Sequence, residues 1–392
     1  MQGLLAATRL TARRLLLASV CLSTVWACTL VNPLDAYGPG KSGTDAGGDG
    51  ALGTSSGGPG ETCNRAVPPE APGNDDGSDN LKLVFAVDAL YIGSAPDAGT
   101  IGSVGYDLDG TCTCPGPASC LSAPLKGGGD AGPKCDGDGG IDNGGAQLIQ
   151  TIVQSAGSDG DANEKITAGG SGLLFQLGAY NGGMNDTQVQ LTFFATGGTI
   201  LDGDGNHTAP RHDGTDQWTV RRDSLFGGVG DGPNYIGAYR DDHAYVANGL
   251  LVAHVDFPLA FGNLAATLNG TIVTARLTKT GSTYHLGDGR FVGRWLTRDL
   301  LSSLDTLPDP VTAGAGLCGT STIYQQLKSE ICASVDLRGR ADEDSKNPLL
   351  DCDALGMLLS FDAETARLGN SVDKVEPTHY CGATYSDDCP TF

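Results

Sequence analysis

The residues best suited by type and spacing to do chemistry are aspartates. Asp202-Gly-Asp204-Gly-Asn206 sets three oxygen-bearing side chains on alternate positions, and His212-Asp213-Gly-Thr-Asp216 follows a few residues later. Alternating oxygen ligands, with glycine between them to let the backbone curl, are what a seven-coordinate calcium ion requires. The same residues also make ordinary turns, so a hairpin loop accounts for the pattern without an ion. A second set flanks the early cysteines. Asp107-Leu-Asp109 precedes Cys112, and Asp136-Gly-Asp138-Gly-Gly-Ile-Asp142-Asn143 follows Cys135. Disulfides that drew these two segments together would converge carboxylates that repel one another until a divalent cation neutralises them.

Against a calcium-binding helix-loop-helix, the first set is a partial and local resemblance. Asp202, Asp204 and Asn206 match its first three ligand positions, His207 stands in place of its glycine, and Asp213 in place of its bidentate Glu. No cofactor is assigned with the turn reading; the alternative is calcium as a structural ion, with Asp202, Asp204, Asn206 and Asp213 as its ligands and Asp107, Asp109, Asp136, Asp138 and Asp142 as the secondary candidates. Catalytic groups are harder to find. There is no His-Glu-x-x-His, no two-histidine helix pair and no nucleophile with a placed base, so no catalytic residue is assigned. His254 and Asp256 fall on one face of an expected strand, as an exposed acid–base pair or as a plain solvated face.

The elements that must position these groups are strands. The chain has 392 residues, 60 of them Gly, and its acids divide into 39 Asp and 7 Glu. Asp favours turns and caps where Glu favours helix interiors, so this composition predicts a loop-rich, mainly β (α+β) protein. A formal net charge of −22 excludes a nucleic-acid partner, which would need a concentrated basic surface. Leu81 to Tyr91 alternates as a first core strand, and Leu173/Phe175/Leu177, Val189/Leu191/Phe193, Trp218/Val220, Leu251 to Phe257 and Val273/Ala275/Leu277 alternate likewise. With Asp288-Gly289 read as a hairpin turn, the expected fold is an antiparallel β-sandwich or jelly-roll-like domain, with a barrel as the alternative.

After Trp295 the period becomes helical. Leu296 to Leu307 and Ile323 to Val335 predict two helices, and Asp353 is placed to cap a third over residues 354–361. The expected organisation is a leader over 1–27, a Gly/Ser/Pro/Asp-rich tether over 28–79, a β-sandwich domain over 80–295 with a Cys-rich loop at 107–143, and a helical disulfide-rich layer over 296–392 packed on the sandwich.

Residues 1–27 carry Arg9, Arg13 and Arg14, no acid, and an apolar run from Leu15 to Ala27 that ends in Val25-Trp26-Ala27-Cys28. This layout resembles the signal peptide and lipobox of bacterial lipoproteins, and the resemblance is confined to that segment. It implies lipidation at Cys28, a location in the cell envelope, at the outer membrane on its periplasmic face or at the cell surface, and contact with the membrane through the lipid. Plain secretion is the alternative. Ten cysteines remain in two clusters of five: Cys63, Cys112, Cys114, Cys120 and Cys135, then Cys318, Cys332, Cys352, Cys381 and Cys389. In an exported chain they predict disulfides, and two odd clusters require at least one bridge between them if all pair. The expected function is a non-catalytic binding or structural domain, with a glycan or another envelope component as its partner. A polysaccharide-acting hydrolase on the same scaffold is the alternative.

Overall fold

The computed structural model describes residues 63–390, apart from 79, 93–103, 115, 123–133, 146–147, 149–157, 229–233, 262–263, 345–347 and 383. The leader, Cys28 and the tether up to residue 62 lie outside the described residues. The described elements are β1 (Leu81–Ile92), α1 (Ser158–Thr167), β2 (Gly172–Tyr180), β3 (Asp186–Thr196), β4 (Gln217–Arg221), β5 (Tyr239–Ala247), β6 (Leu250–His254), β7 (Phe257–Phe261), β8 (Leu264–Thr280), β9 (Thr283–Leu296), α2 (Thr297–Ser303), α3 (Thr322–Ala333), β10 (Ala354–Thr365) and β11 (Arg367–Val372).

Nine strands form one sheet that closes on itself, in the order β6-β5-β3-β2-β1-β10-β9-β8-β7 with β6 also paired to β8. Strands β6 and β7 lie end to end along β8. The first pairs Leu250 with Arg276 through His254 with Ile272, and the second pairs Phe257 with Leu268 through Phe261 with Leu264. They act as one interrupted stave, so the result is an eight-stranded antiparallel barrel in which chain neighbours are sheet neighbours. Where β1 runs past β2, Asn163 of α1 covers the open edge: its Nδ2 donates to the Leu90 carbonyl at 2.9 Å and its Oδ1 accepts the Leu90 N–H at 3.0 Å.

This closure overturns the expected sandwich or jelly roll. The closing stave is β10, which pairs with β1 on one side and β9 on the other and occupies the segment read as a third helix. Its first eight residues, Ala354 to Phe361, are all buried, because one face lines the barrel and the other lies under covering loops. A strand buried on both faces loses the alternation that marks strands and reads as a continuous apolar run. Asp288-Gly289 is not a hairpin turn either. Both residues lie inside β9, where Asp288 has φ +51 and a Cβ on Gly289 would meet the Phe361 ring at 2.5 Å. A left-handed residue and a ring packed on bare backbone are features of strand irregularity as much as of turns.

The barrel interior is filled rather than hollow. Phe291 lies 4.4 Å from Phe361 and 5.0 Å from Phe257, measured between ring centroids, and Phe175 lies 5.0 Å from both Phe193 and Phe361. An eight-stranded barrel is just narrow enough for side chains to pack its axis. Outside, two loops cover the wall. Trp218 and Val220 of β4, with Leu225 and Tyr235, bury Ala86, Leu174 and Phe194, while Tyr106 buries Val292 and Leu358. Strand β4 pairs in parallel with β11 as a separate two-stranded ribbon. Among the described residues no helix is long and apolar enough to cross a membrane.

Five disulfides link the described residues: Cys63–Cys112, Cys114–Cys135, Cys120–Cys352, Cys318–Cys381 and Cys332–Cys389. Cys120–Cys352 is the bridge between the two clusters that their odd numbers require.

Candidate metal centre

Three stretches of irregular chain meet on the outside of the barrel, and two of the disulfides hold them. Cys63–Cys112 and Cys114–Cys135 join residues 63–66, 104–114 and 134–145. Backbone hydrogen bonds knit the same stretches: Asp107 N–H donates to Ala66 O at 2.8 Å, Ala66 N–H to Gly139 O at 2.8 Å, and Asp142 N–H to Tyr106 O at 3.1 Å. Gly140 makes the close approach feasible. It has φ +76, and a Cβ there would lie 2.6 Å from the Thr111 carbonyl and 3.2 Å from Asp107 Oδ2. Tyr106 anchors the assembly to the wall, its hydroxyl 3.1 Å from Thr274 Oγ1 of β8.

Asp107, Asp109 and Asp142 converge here. Each offers a carboxylate oxygen, these oxygens lie within 4.8 Å of one another, and the residues are only 4, 6 and 2 % exposed. Asp107 pairs with the Arg65 guanidinium and accepts the Gly110 N–H at 2.7 Å. Asp109 Oδ1 accepts from the Thr111 N–H at 2.8 Å and its hydroxyl at 2.9 Å, and Asp142 Oδ2 accepts the Leu108 N–H at 2.6 Å. Asp109 Oδ2 and Asp142 Oδ1 are buried with no hydrogen-bond partner.

More acids surround them. Asp136 Oδ2 accepts the Thr113 N–H at 2.5 Å, and Asp336, just after α3, accepts the Gly356 N–H at 3.0 Å. Asp344 is ion-paired with Arg294 of β9, whose guanidinium also donates to the Leu108 carbonyl at 2.5 Å. Arg294 thus ties the carboxylate loop to the barrel wall.

Burial, with repulsion from neighbouring acids, holds Asp107, Asp136, Asp142, Asp336 and Asp344 above the usual carboxylate range. Asp142 is pushed up to about 10 by burial and then by Asp109, Asp336 and Asp136. Burial also raises Asp136 to about 6, Asp336 to about 7 and Asp344 to about 7. Asp107 rises too, since burial outweighs its bond to Arg65. Such a cluster holds either protons or a cation. Without a cation, the folded chain binds more protons than the unfolded chain between about pH 4 and 10, so its stability falls as pH rises through that window. Urea melts of the full chain in chelator are expected to show a lower midpoint at pH 8 than at pH 5; a midpoint higher at pH 8 contradicts the assignment.

The first-choice ligand set lies elsewhere and does not converge. Asp202 Oδ1 accepts the N–H groups of Asp204 and Asn206, both at 2.9 Å, in an exposed loop closed by the Leu201–His207 bridge. His207 turns back to the Thr199 carbonyl at 2.9 Å, and Asp213 Oδ1 accepts the Thr215 N–H at 2.9 Å. Backbone N–H donors hold Asp202 below the ordinary carboxylate range, and the Thr215 hydroxyl and N–H do the same for Asp213, as turn-forming aspartates require. Asp107, Asp109 and Asp142 form the one converging group of acids, histidines or cysteines among the described residues. Of the secondary candidates, Asp136 is half-buried beside that group and Asp138 is exposed. His254 and Asp256 are both exposed and serve separate backbone contacts, His254 N–H donating to Asp241 and Asp256 accepting from Thr271 N–H.

Protein-family models, curated proteins and solved structures offer no match to this chain. Sequence reading missed Arg65, Arg294, Asp336 and Asp344. None carries a local signal, because each is brought in by the barrel or by a disulfide from a distant part of the chain.

Proposed function

We propose that this chain is an exported, lipid-anchored envelope protein whose barrel is a non-catalytic binding or structural module. The observation that carries this reading is the aromatic plug: rings from β2, β3, β7, β9 and β10 occupy the axis, where a barrel of this size would otherwise take a small ligand. Five disulfides support an oxidising, extracytoplasmic compartment. Neither of two surface depressions on the described residues supports hydrolysis. One of about 410 Å³ is lined by Asp309 as its sole carboxylate, and one of about 590 Å³, beside Lys82 and Arg367, has none. Glycoside hydrolysis needs two. In this reading the outer wall and its loops present the binding surface, to a glycan or another envelope component, and the lipid on Cys28 provides the membrane contact.

Two measurements test it. Cells fed radiolabelled palmitate are expected to label the full chain and not the Cys28→Ser variant; label that survives the substitution, or its absence from the native chain, overturns the anchor. Incubation of the purified full chain with a panel of polysaccharides is expected to release no reducing ends, and release would replace the module reading by the hydrolase.

A further inference from the structure

We propose that Asp107, Asp109 and Asp142 bind one calcium ion on the outer wall of the barrel. An acidic cluster alone would not carry this. The deciding observation is that Asp109 Oδ2 and Asp142 Oδ1 are buried and unpartnered, while their sister oxygens are fixed by Thr111 and Leu108. A buried carboxylate oxygen with nothing to accept from is costly, and a cation shared between two such oxygens removes the cost at both. Net charge agrees with a divalent ion. Three carboxylates, less the Arg65 guanidinium paired with Asp107, leave two negative charges.

The donor set selects the metal. All the converging groups are oxygens, and the adjacent Cys112 and Cys135 are consumed in disulfides, so a thiolate or imidazole site for zinc is not formed. The ligands sit on irregular loops, with Gly105, Gly110, Gly139 and Gly140 at positive φ, and calcium accepts the variable coordination that carboxylates on irregular loops offer. Magnesium demands near-octahedral geometry at shorter distances and gives up its waters reluctantly. The ion would also fasten residues 63–66 to the barrel wall. Residues 63–66 join the site through Cys63–Cys112, the Arg65–Asp107 pair and the Ala66 hydrogen bonds, so occupancy sets how firmly this stretch is held.

This inference goes beyond the module reading and does not depend on the lipid or on the absence of hydrolysis. The test is titration of calcium chloride into the chelator-stripped full chain by calorimetry, with thermal melts in calcium, magnesium or EGTA. One calcium per chain is expected, with a Tm several degrees higher in millimolar calcium than in EGTA and a smaller rise in equal magnesium. Asp109→Asn and Asp142→Asn are expected to weaken calcium binding at least tenfold, and Asp202→Asn and Asp204→Asn to leave it unchanged. No binding by the native chain overturns the proposal, as does binding lost in Asp202→Asn but retained in Asp142→Asn. Equilibrium dialysis of the native chain with radioactive calcium fixes the stoichiometry even if an Asn variant fails to fold; a value near zero overturns the proposal.

Discussion

Replacing Cys120 and Cys352 together by serine is expected to lower the stability of the folded chain by about 5 kcal/mol, the largest loss from any of its five bridges. The two cysteines are 232 residues apart, against separations of 21 to 63 for the other four pairs. In the chain-entropy account, the stabilisation grows with the logarithm of the loop closed, and a loop of this length gives about 5 kcal/mol before native strain is subtracted. The location adds to the effect. The bridge joins the loop between β1 and β2 to the chain just before β10, the stave that closes the barrel. Beside it, Leu121 N–H donates to Leu350 O at 2.9 Å and Cys352 N–H to Leu121 O at 2.8 Å. Losing the crosslink should therefore loosen the β1–β10 seam first. Denaturant titration gives the free energy, and hydrogen exchange along β10 locates it. A loss below about 1 kcal/mol, or protection in β10 unchanged, would contradict this account.

Phe291→Ala should cost about 3–5 kcal/mol, the range for removing a large aromatic side chain from a packed interior. Phe291 is fully buried and has four aromatic neighbours, Phe175, Phe193, Phe257 and Phe361, with centroids between 4.4 and 6.2 Å away. These rings come from β2, β3, β7 and β10, so truncation leaves a void that touches staves from around the barrel. Backbone hydrogen bonds on each side keep the wall from collapsing to fill it. Phe291→Leu keeps most of the volume and should lose less than half as much. Equal losses for the two substitutions would mean that the rings do not form the packed axis described above.

The sequence by itself determined a good deal. It established that the chain is mainly β, because the alternation of Leu81 to Tyr91 and of Leu251 to Phe257 is a local property that survives any tertiary arrangement. Two odd cysteine clusters required a bridge between them, a matter of counting. It also showed that alternating carboxylates in the cysteine-rich loop would converge if the disulfides drew them together, although it ranked them below Asp202, Asp204, Asn206 and Asp213.

Only the tertiary structure decided between sandwich and barrel, and between the two carboxylate sets. Closure depends on a strand, β10, whose burial on both faces erased the period that would have revealed it. The ranking of the aspartates depends on burial, which motif spacing does not encode. Asp202 has the more regular pattern but faces solvent and satisfies its oxygen with its own loop. Asp109 and Asp142 come from segments separated by four cysteines and lie against a wall formed by distant strands, where Arg294 and Tyr106 hold their loop in place. Desolvation and the loss of partners for two carboxylate oxygens arise only when those distant surfaces meet, and on them the proposed cation site rests.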